Sequence, residues 1–324
     1  MIRTVHSENG ITNCGGTVGN TGGRIVREIT IAGRRIADDT EAFVVAEIGC
    51  NHGGSVEVCR QMILAAAAAG VDAVKLQKRD LSYWSEHDPR WYQPYNSEHA
   101  FGATYGEHRA ALEFDADQHD HLLQFAERQG LVYFATAFDL RSLDLLAQIG
   151  VPVIKLASAS ITNIPLLDAC AITGLPVIAS TGGATSREVI NGVSHLLGRV
   201  PGSPTTVAVL HCVATYPTQA CELNLNAIKT MRADFPNLVV GLSDHFSGIA
   251  FSPVAYVLGA RIFEKHFTLH RADKGTDNAF SLEPEGMRKL VRDLRRTREA
   301  LGDGVKRRLP EEVQALRNMG RRDL

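Results

Sequence analysis

The polar residues able to do chemistry in this chain cluster at the ends of short apolar runs. FVVAEIG carries Glu47 and leads into NHGG, DAVKLQ carries Lys75 and Gln77, and VIKLAS carries Lys155 and Ser158. PVIAST ends in Ser180 and Thr181, LVVGLSD in Ser243 and Asp244 just before His245, and RIFEKHF holds Glu264, Lys265 and His266. Packing alone has no use for such groups. Residues at the C-terminal ends of parallel strands converge on one mouth, so this set reads as catalytic. Two lysines among several hydroxyls suit a small dianion such as a phosphate ester. His245 and His266 lie 21 residues apart, outside local metal-ligand spacings. Neighbouring strand ends can still bring them to one ion; imidazole suits Mn, Fe, Co, Ni or Zn, and Glu47 or Asp277 could complete or hydrogen-bond the shell. On spacing alone, a general acid–base or a structural histidine explains the pair equally well.

Those ends need a scaffold. From residue 43 one unit repeats: a β-rich apolar run, a polar loop, and an amphipathic segment heavy in Ala and Leu. The runs are FVVAEIG (43–49), DAVKLQ (72–77), VYFAT (132–136), VIKLAS (153–158), PVIAST (176–181), TVAVLHC (206–212), LVVGLSD (238–244) and RIFEKHF (261–267). Eight strands alternating with helices imply right-handed crossovers and a parallel sheet closed as a (β/α)8 TIM barrel, an α/β fold. The domain reading is a disordered tail over 1–25, a capping hairpin over 26–42 built on REITIAGRRIADD, the barrel over 43–302, and a helical tail over 303–324. Residues 78–114 exceed a simple crossover; at the C-terminal face such a loop, rich in Tyr, Trp and Arg, reads as a substrate loop.

Composition narrows the function classes. With 44% hydrophobic and 22% charged residues and 29 glycines, the chain is globular with a large core. The 34 Lys and Arg against 36 Asp and Glu leave a formal charge of −2, without the basic field that nucleic-acid binding needs. Six scattered cysteines with no CxxC pair read as reduced thiols, and hence a cytoplasmic protein. Cys212 reads as a small buried hydrophobe. MIRTVHSENG lacks the apolar core of a signal peptide, and no run approaches the roughly 18 apolar residues of a membrane span. GCNHGG and STGGAT are glycine-rich strand-end loops but neither is a nucleotide fingerprint.

The same segments resemble the N-acetylneuraminate (sialic acid) synthase family. AEIGCNHGG, AGVDAVKLQ, TAFDLRSLDLL, VPVIKLASASITNIPLL, GLPVIASTGGAT, LHCVATYP, VVGLSDH and GARIFEKHFTLHRADKGTDNAFSLEP carry the likeness, in unbroken order across roughly residues 30–302. The resemblance implies a transferase that condenses phosphoenolpyruvate with an acylamino sugar to give a 2-keto-3-deoxy acid and phosphate. It implies a divalent metal on His245 and His266, Mn2+ first with Mg2+ or Co2+ as alternatives. Lys75, Gln77, Thr136, Lys155, Ser158, Ser180 and Ser243 would surround phosphoenolpyruvate. Glu47, Glu264 and Asp277 would be catalytic, with Tyr216, Asp277 and Ser160 on the acceptor side.

Three departures bear on the acceptor. The family's Ser-Gly-Glu is Ser158-Ala159-Ser160 here, which loses a carboxylate, and its Gly-Met is Gly182-Gly183, which frees space near the phosphate end. The chain stops at RNMGRRDL, about where the family's small antifreeze-like domain begins, whose arginine reaches the partner's site. The expected acceptor is therefore an aldose or aldehyde other than N-acetylmannosamine, and any homodimer is expected to use the barrel faces. Two rival readings keep the barrel: a metal-dependent pyruvate-type aldolase that releases no phosphate, and a non-catalytic barrel that binds a sugar or partner.

Overall fold

β1 (Glu28–Ile31) and β2 (Arg34–Ala37) open the described chain as an antiparallel hairpin. Its turn falls on Ala32 and Gly33, with φ of 48° and 75°. Two consecutive positive φ values match the right-handed twist of the strands, and glycine meets the second without steric penalty. Ile29, Ile31 and Ile36 are buried and belong to the main core, so the hairpin covers one end of the barrel. The computed structural model describes residues 27–199 and 206–323. The tail expected over 1–25 lies outside the described residues.

The barrel runs β3 (Phe43–Gly49), α1 (Val56–Ala69), β4 (Ala73–Lys78), α2 (Leu81–His87), α3 (Tyr105–Ala110), α4 (Ala116–Arg128), β5 (Val132–Ala137) and α5 (Leu140–Gln148). It continues through β6 (Ile154–Leu156), α6 (Ile164–Ile172), β7 (Val177–Ser180), α7 (Ser186–Arg199), β8 (Val207–Cys212), α8 (Ala227–Asp234), β9 (Val239–Asp244), α9 (Ser252–Val257) and β10 (Ile262–His266). α10 (Pro284–Leu301) and α11 (Pro310–Asn318) complete the chain order. The strands pair in parallel in sequence order, and β10 pairs both β9 and β3, which closes the barrel. Every residue of β3, β5, β8 and β9 is buried, because helices cover the outer face while side chains fill the interior. α10 buries Met287, Leu290, Val291 and Leu294, the i, i+3, i+4, i+7 stripe of a helix laid on a core. No helix among the described residues is long and apolar enough to cross a membrane.

Two local features set the mouth. The fourth barrel run gives only three strand residues, because the chain leaves the sheet at Ala157 and winds Ser158–Ser160 into a 3-10 turn. The long 78–114 connection is a folded excursion. Lys78 turns out of the interior and donates from Nζ to Phe114 O at 2.8 Å, while Glu113 accepts from Arg79 N at 3.0 Å, so both ends of the excursion are tied together. Asp139, which caps α5, also accepts from Asp80 N at 3.0 Å and from Trp84 Nε1 at 2.8 Å. Each tie satisfies a polar group that burial would otherwise strand.

Candidate active site

Alternation along each strand decides which side chains enter the barrel. Glu264 and His266 face inward on β10 while Lys265 faces out and pairs with Asp244 at 2.9 Å. Ser243 and His245 face inward on either side of that Asp244. Lys75 and Gln77 do the same on β4. The inward set surrounds a cavity of about 310 Å³ at the C-terminal ends of the strands. Parallel register sets His266 beside Glu47, Glu47 beside Lys75, and Glu264 beside Ser243.

The floor is a tight charge cluster. Lys75 Nζ lies 2.8 Å from Glu47 Oε2 and 3.7 Å from Glu264 Oε1, and donates to Thr136 Oγ1 at 2.7 Å. Lys155 Nζ donates to Ser180 Oγ at 2.7 Å and lies 3.9 Å from Glu264 Oε2. Ser243 Oγ donates to Glu264 Oε1 at 3.1 Å, and Gln77 Nε2 donates to Glu47 Oε1 at 3.1 Å. All four charged groups are buried. Two cations and two carboxylates balance, yet they do not share protons alike. Burial raises the Glu47 carboxyl to about 7, with Lys75 pulling it down and Glu264 pushing it up. Burial acts on Glu264 in the same sense, but Lys155 and Lys75 outweigh it and hold Glu264 below the usual carboxylate range. One carboxylate therefore stays ionised while its neighbour is poised to exchange a proton near neutrality.

Beside the floor, Ser158 Oγ accepts the Gly182 N–H at 2.9 Å. A Cβ on Gly182 would sit 2.9 Å from that oxygen and 3.0 Å from both Cys212 Sγ and Ala214 Cβ, so glycine is required there by close approach. Gly183, with nothing within 4 Å of an added Cβ, does not line this cavity; it lines a neighbouring pocket with Thr181 and Ala184, so the space expected at the phosphate end does not fall there. Cys212 is buried and burial raises its thiol, so the neutral form prevails.

His245 and His266 meet with ring centroids 5.4 Å apart, and Tyr216 stacks on His245 at 4.1 Å. His245 Nδ1 lies 2.7 Å from Val213 O; the carbonyl can only accept, so that nitrogen carries the proton and Nε2 keeps its lone pair. Burial, then the proximity of His266, lowers His245 to about 4; burial, then Lys75, lowers His266 to about 3. His266 Nδ1 is buried without a hydrogen-bond partner, 3.5 Å from Asp277 Oδ2. Two neutral imidazoles, one with an orphaned nitrogen, fit a divalent ion that keeps open positions for other ligands. No group of three or more His, Cys, Asp or Glu side chains close enough to hold an ion occurs among the described residues.

Of the fourteen residues given a role by the family resemblance, thirteen line this one cavity, whereas Thr181, Asp244 and Lys265, also read at strand ends, do not. Ser160, expected on the acceptor side, does not. It is buried in the 3-10 turn, and its predecessors Ser158 and Ala159 take the wall instead, because the turn rotates successive side chains away from the mouth. Arg79 and Arg109 line the cavity and escaped notice in the sequence. Arg79 continues the inward alternation of Lys75 and Gln77, which is a signal that was available. Arg109 sits on α3 deep in the excursion, where the sequence signalled only a substrate loop rich in Tyr, Trp and Arg and not this particular residue.

A closed parallel barrel with a charge-dense cavity at its C-terminal mouth is the architecture of an enzyme acting on small polar molecules. The chain belongs to the NeuB family, whose model matches residues 62–306. It is 35% identical over 289 residues to the N-acetylneuraminate-9-phosphate synthase of Homo sapiens, across 89% of this chain and 79% of that protein. It is 35% identical over 274 residues to the N,N'-diacetyllegionaminic acid synthase of Legionella pneumophila, across 84% of this chain and 76% of that one. A solved N-acetylneuraminic acid (sialic acid) synthetase of Leptospira borgpetersenii matches with a TM-score of 0.74 at 34% identity, covering 90% of this chain and 96% of that chain.

Proposed function

We propose that this protein is a phosphoenolpyruvate-dependent synthase that adds a three-carbon unit to an aldose and releases phosphate, giving a 2-keto-3-deoxy sugar acid. The observation that carries the reading is the floor cluster. Lys75 and Lys155, each seated on a hydroxyl, supply the cationic bed that a phosphate and a carboxylate need, and relatives named as sugar-acid synthases support the reading. Ser158, Ser180, Ser243 and Thr136 add hydroxyl donors around the same space.

C3 of phosphoenolpyruvate attacks the aldehyde carbon, forming the C–C bond, and the aldehyde oxygen takes up a proton. Water then adds at C2, and the C2–O bond to phosphate breaks with the electron pair leaving on the phosphate. Glu47, raised toward neutrality and steadied by Gln77, orients this water and accepts its proton. Glu264 stays ionised and holds both lysines in place. Tyr216 and Asp277, at the histidine end, contact the acceptor hydroxyls. His245 and His266 would hold a divalent ion, Mn2+ before Mg2+ or Co2+, which would supply Lewis acidity for the aldehyde. We place the enzyme in the cytoplasm.

The test is to incubate the protein with phosphoenolpyruvate, Mn2+ and a panel of aldoses, and to follow phosphate and 2-keto acid together. Both should appear in equal amounts and stop on chelation. A 2-keto acid formed from pyruvate without phosphate would point to the aldolase instead.

A further inference from the structure

The NHGG turn that follows β3 carries a polar side chain that the chemistry above does not use. Asn51 is 7% exposed, and its Nδ2 donates to Phe267 O at 2.9 Å and to Ser281 Oγ at 3.0 Å. A carbonyl can only accept, so the amide nitrogen and not its oxygen faces these partners. The chain reaches this position by turning sharply behind Glu47. The β3–β4 register shifts between Glu47 and Gly49, Gly49 adopts a φ of 56°, and Asn51 N donates to Ile48 O at 2.9 Å. Glycine takes that left-handed φ without a steric penalty.

Both partners of Asn51 lead back to the site. Phe267 follows His266, and its own N–H donates to Glu47 O at 2.8 Å. Ser281 directs its one hydroxyl proton to Asp277 O at 2.6 Å, which leaves a lone pair for Asn51. A single amide thus grips the backbone just beyond His266 and, through Ser281, the backbone of Asp277. The loop between these points is closed at its root, where Thr268 N donates to Leu282 O at 3.0 Å and Leu282 N to His266 O at 2.8 Å. Asn278, fully buried, accepts from Thr268 Oγ1 at 2.6 Å and donates to Lys274 O at 3.2 Å, which fixes the residue after Asp277. The Asp277 carboxylate itself lines the cavity, with Oδ2 3.5 Å from His266 Nδ1, too far for a normal hydrogen bond. Backbone placement sets that separation, and Asn51 holds both backbones.

We propose that Asn51 is a positioning residue that fixes the Asp277 carboxylate relative to His266, so that the acid faces the acceptor instead of closing on the imidazole. This deepens the synthase reading and rests on it. Asn51 does not line the cavity, so it acts through Asp277 and His266 and not on a substrate. Because it lies on the turn leading out of Glu47, the tie also holds the acceptor end in register with the residue that handles the water. A group displaced by about 1 Å from its productive place loses on the order of 100-fold in rate.

The test measures kcat and KM for both substrates in Asn51→Ala, Ser281→Ala and Asp277→Ala, with Mn2+, phosphoenolpyruvate and whichever aldose of the panel is turned over fastest. Asn51→Ala should lower kcat/KM for the aldose about 100-fold while KM for phosphoenolpyruvate changes less than about threefold. Ser281→Ala, which cuts only the Asp277 arm, should cost about tenfold with Asp277 intact and less than about twofold once Asp277 is alanine. A residue that merely supports the fold costs the same in both backgrounds, so equal losses overturn the proposal. So does an Asn51→Ala enzyme within about twofold of the wild type, or one whose KM for phosphoenolpyruvate rises as much as its KM for the aldose. Ser281→Ala decides the matter alone if Asn51→Ala does not fold. If no aldose is turned over, the synthase reading fails by itself, and amide hydrogen exchange still reads the tie. Residues 274–281 should then exchange more than about tenfold faster in Asn51→Ala and Ser281→Ala, while the β1–β2 hairpin keeps its protection. Unchanged protection of that loop in both variants would remove the role of Asn51.

Discussion

The two ends of the barrel both draw charged groups away from solvent, but they use them differently. At the hairpin end, Asp38 takes Arg232 through Nη1 at 2.8 Å and Nη2 at 3.1 Å, and Arg27 at 3.1 Å, while Arg261 donates to the Asp38 carbonyl from Nε and Nη2. Each charge there has a fixed protein partner, and the exception among its donors is the buried Arg27 Nε, which meets none among the described residues. At the mouth, the lysines share carboxylates that titrate apart, and a buried histidine nitrogen has no hydrogen-bond partner among the described residues. Satisfied groups hold a fold; unsatisfied ones beside a cavity are where a ligand completes the structure.

Substitutions on the floor should break this contrast most severely. Glu47→Gln keeps shape and removes the base, so kcat should fall about 10³-fold with Tm nearly unchanged; a variant within tenfold of the wild type would take Glu47 out of the mechanism. Lys155→Met removes a phosphate contact and leaves Glu264 with Lys75 alone, so KM for phosphoenolpyruvate should rise about 100-fold. Steady-state kinetics with the donor varied will read it.

Asp38→Ala should do the reverse, lowering stability by about 2 kcal/mol in denaturant titration with kcat/KM preserved. Its penalty should also depend on pH in a definite sense. Burial raises the Asp38 carboxyl, but Arg232 and Arg27 bring it below its ordinary value. The contribution of Asp38 is thus present above roughly pH 4 and is lost as pH falls through the lower folded value. An Asp38→Ala penalty as large at about pH 2 as at pH 7 would contradict this.

Glu47 should also mark the pH–rate profile. It works as the carboxylate, and its folded value is about 7, so turnover should climb as pH rises through neutrality. A profile flat from about pH 5.5 to pH 8.5 would assign the water to another group. The smallest effect is expected at Ser160, which sits off the cavity wall: Ser160→Ala should change kcat/KM less than twofold.

Much of this molecule was readable before folding. Apolar β-rich runs with Glu47, Lys75, Lys155, Ser243 and His266 at or near their ends announced strands whose tips meet, since closure of eight parallel strands leaves only one mouth for them. The glycine-centred hairpin was legible for the same local reason: a two-residue turn with positive φ names its own residues. Ser160 was misjudged because a sequence does not say where a strand yields to a 3-10 turn, and that switch rotates every later side chain. The loop over 78–114 was legible as a substrate loop, but Arg109 could not be picked out of it because its place depends on how the segment folds back, through Lys78, Glu113 and Asp139, onto the barrel.

By itself, then, the sequence determined the barrel, the family and nearly all the cavity's polar lining, because alternation and strand-end placement are local properties. Only the tertiary structure decided the protonation asymmetry of Glu47 and Glu264 and the meeting of Arg79 with Arg109 at the cavity wall. Both depend on distance and desolvation between groups far apart in the chain, and neither quantity exists until the chain has closed.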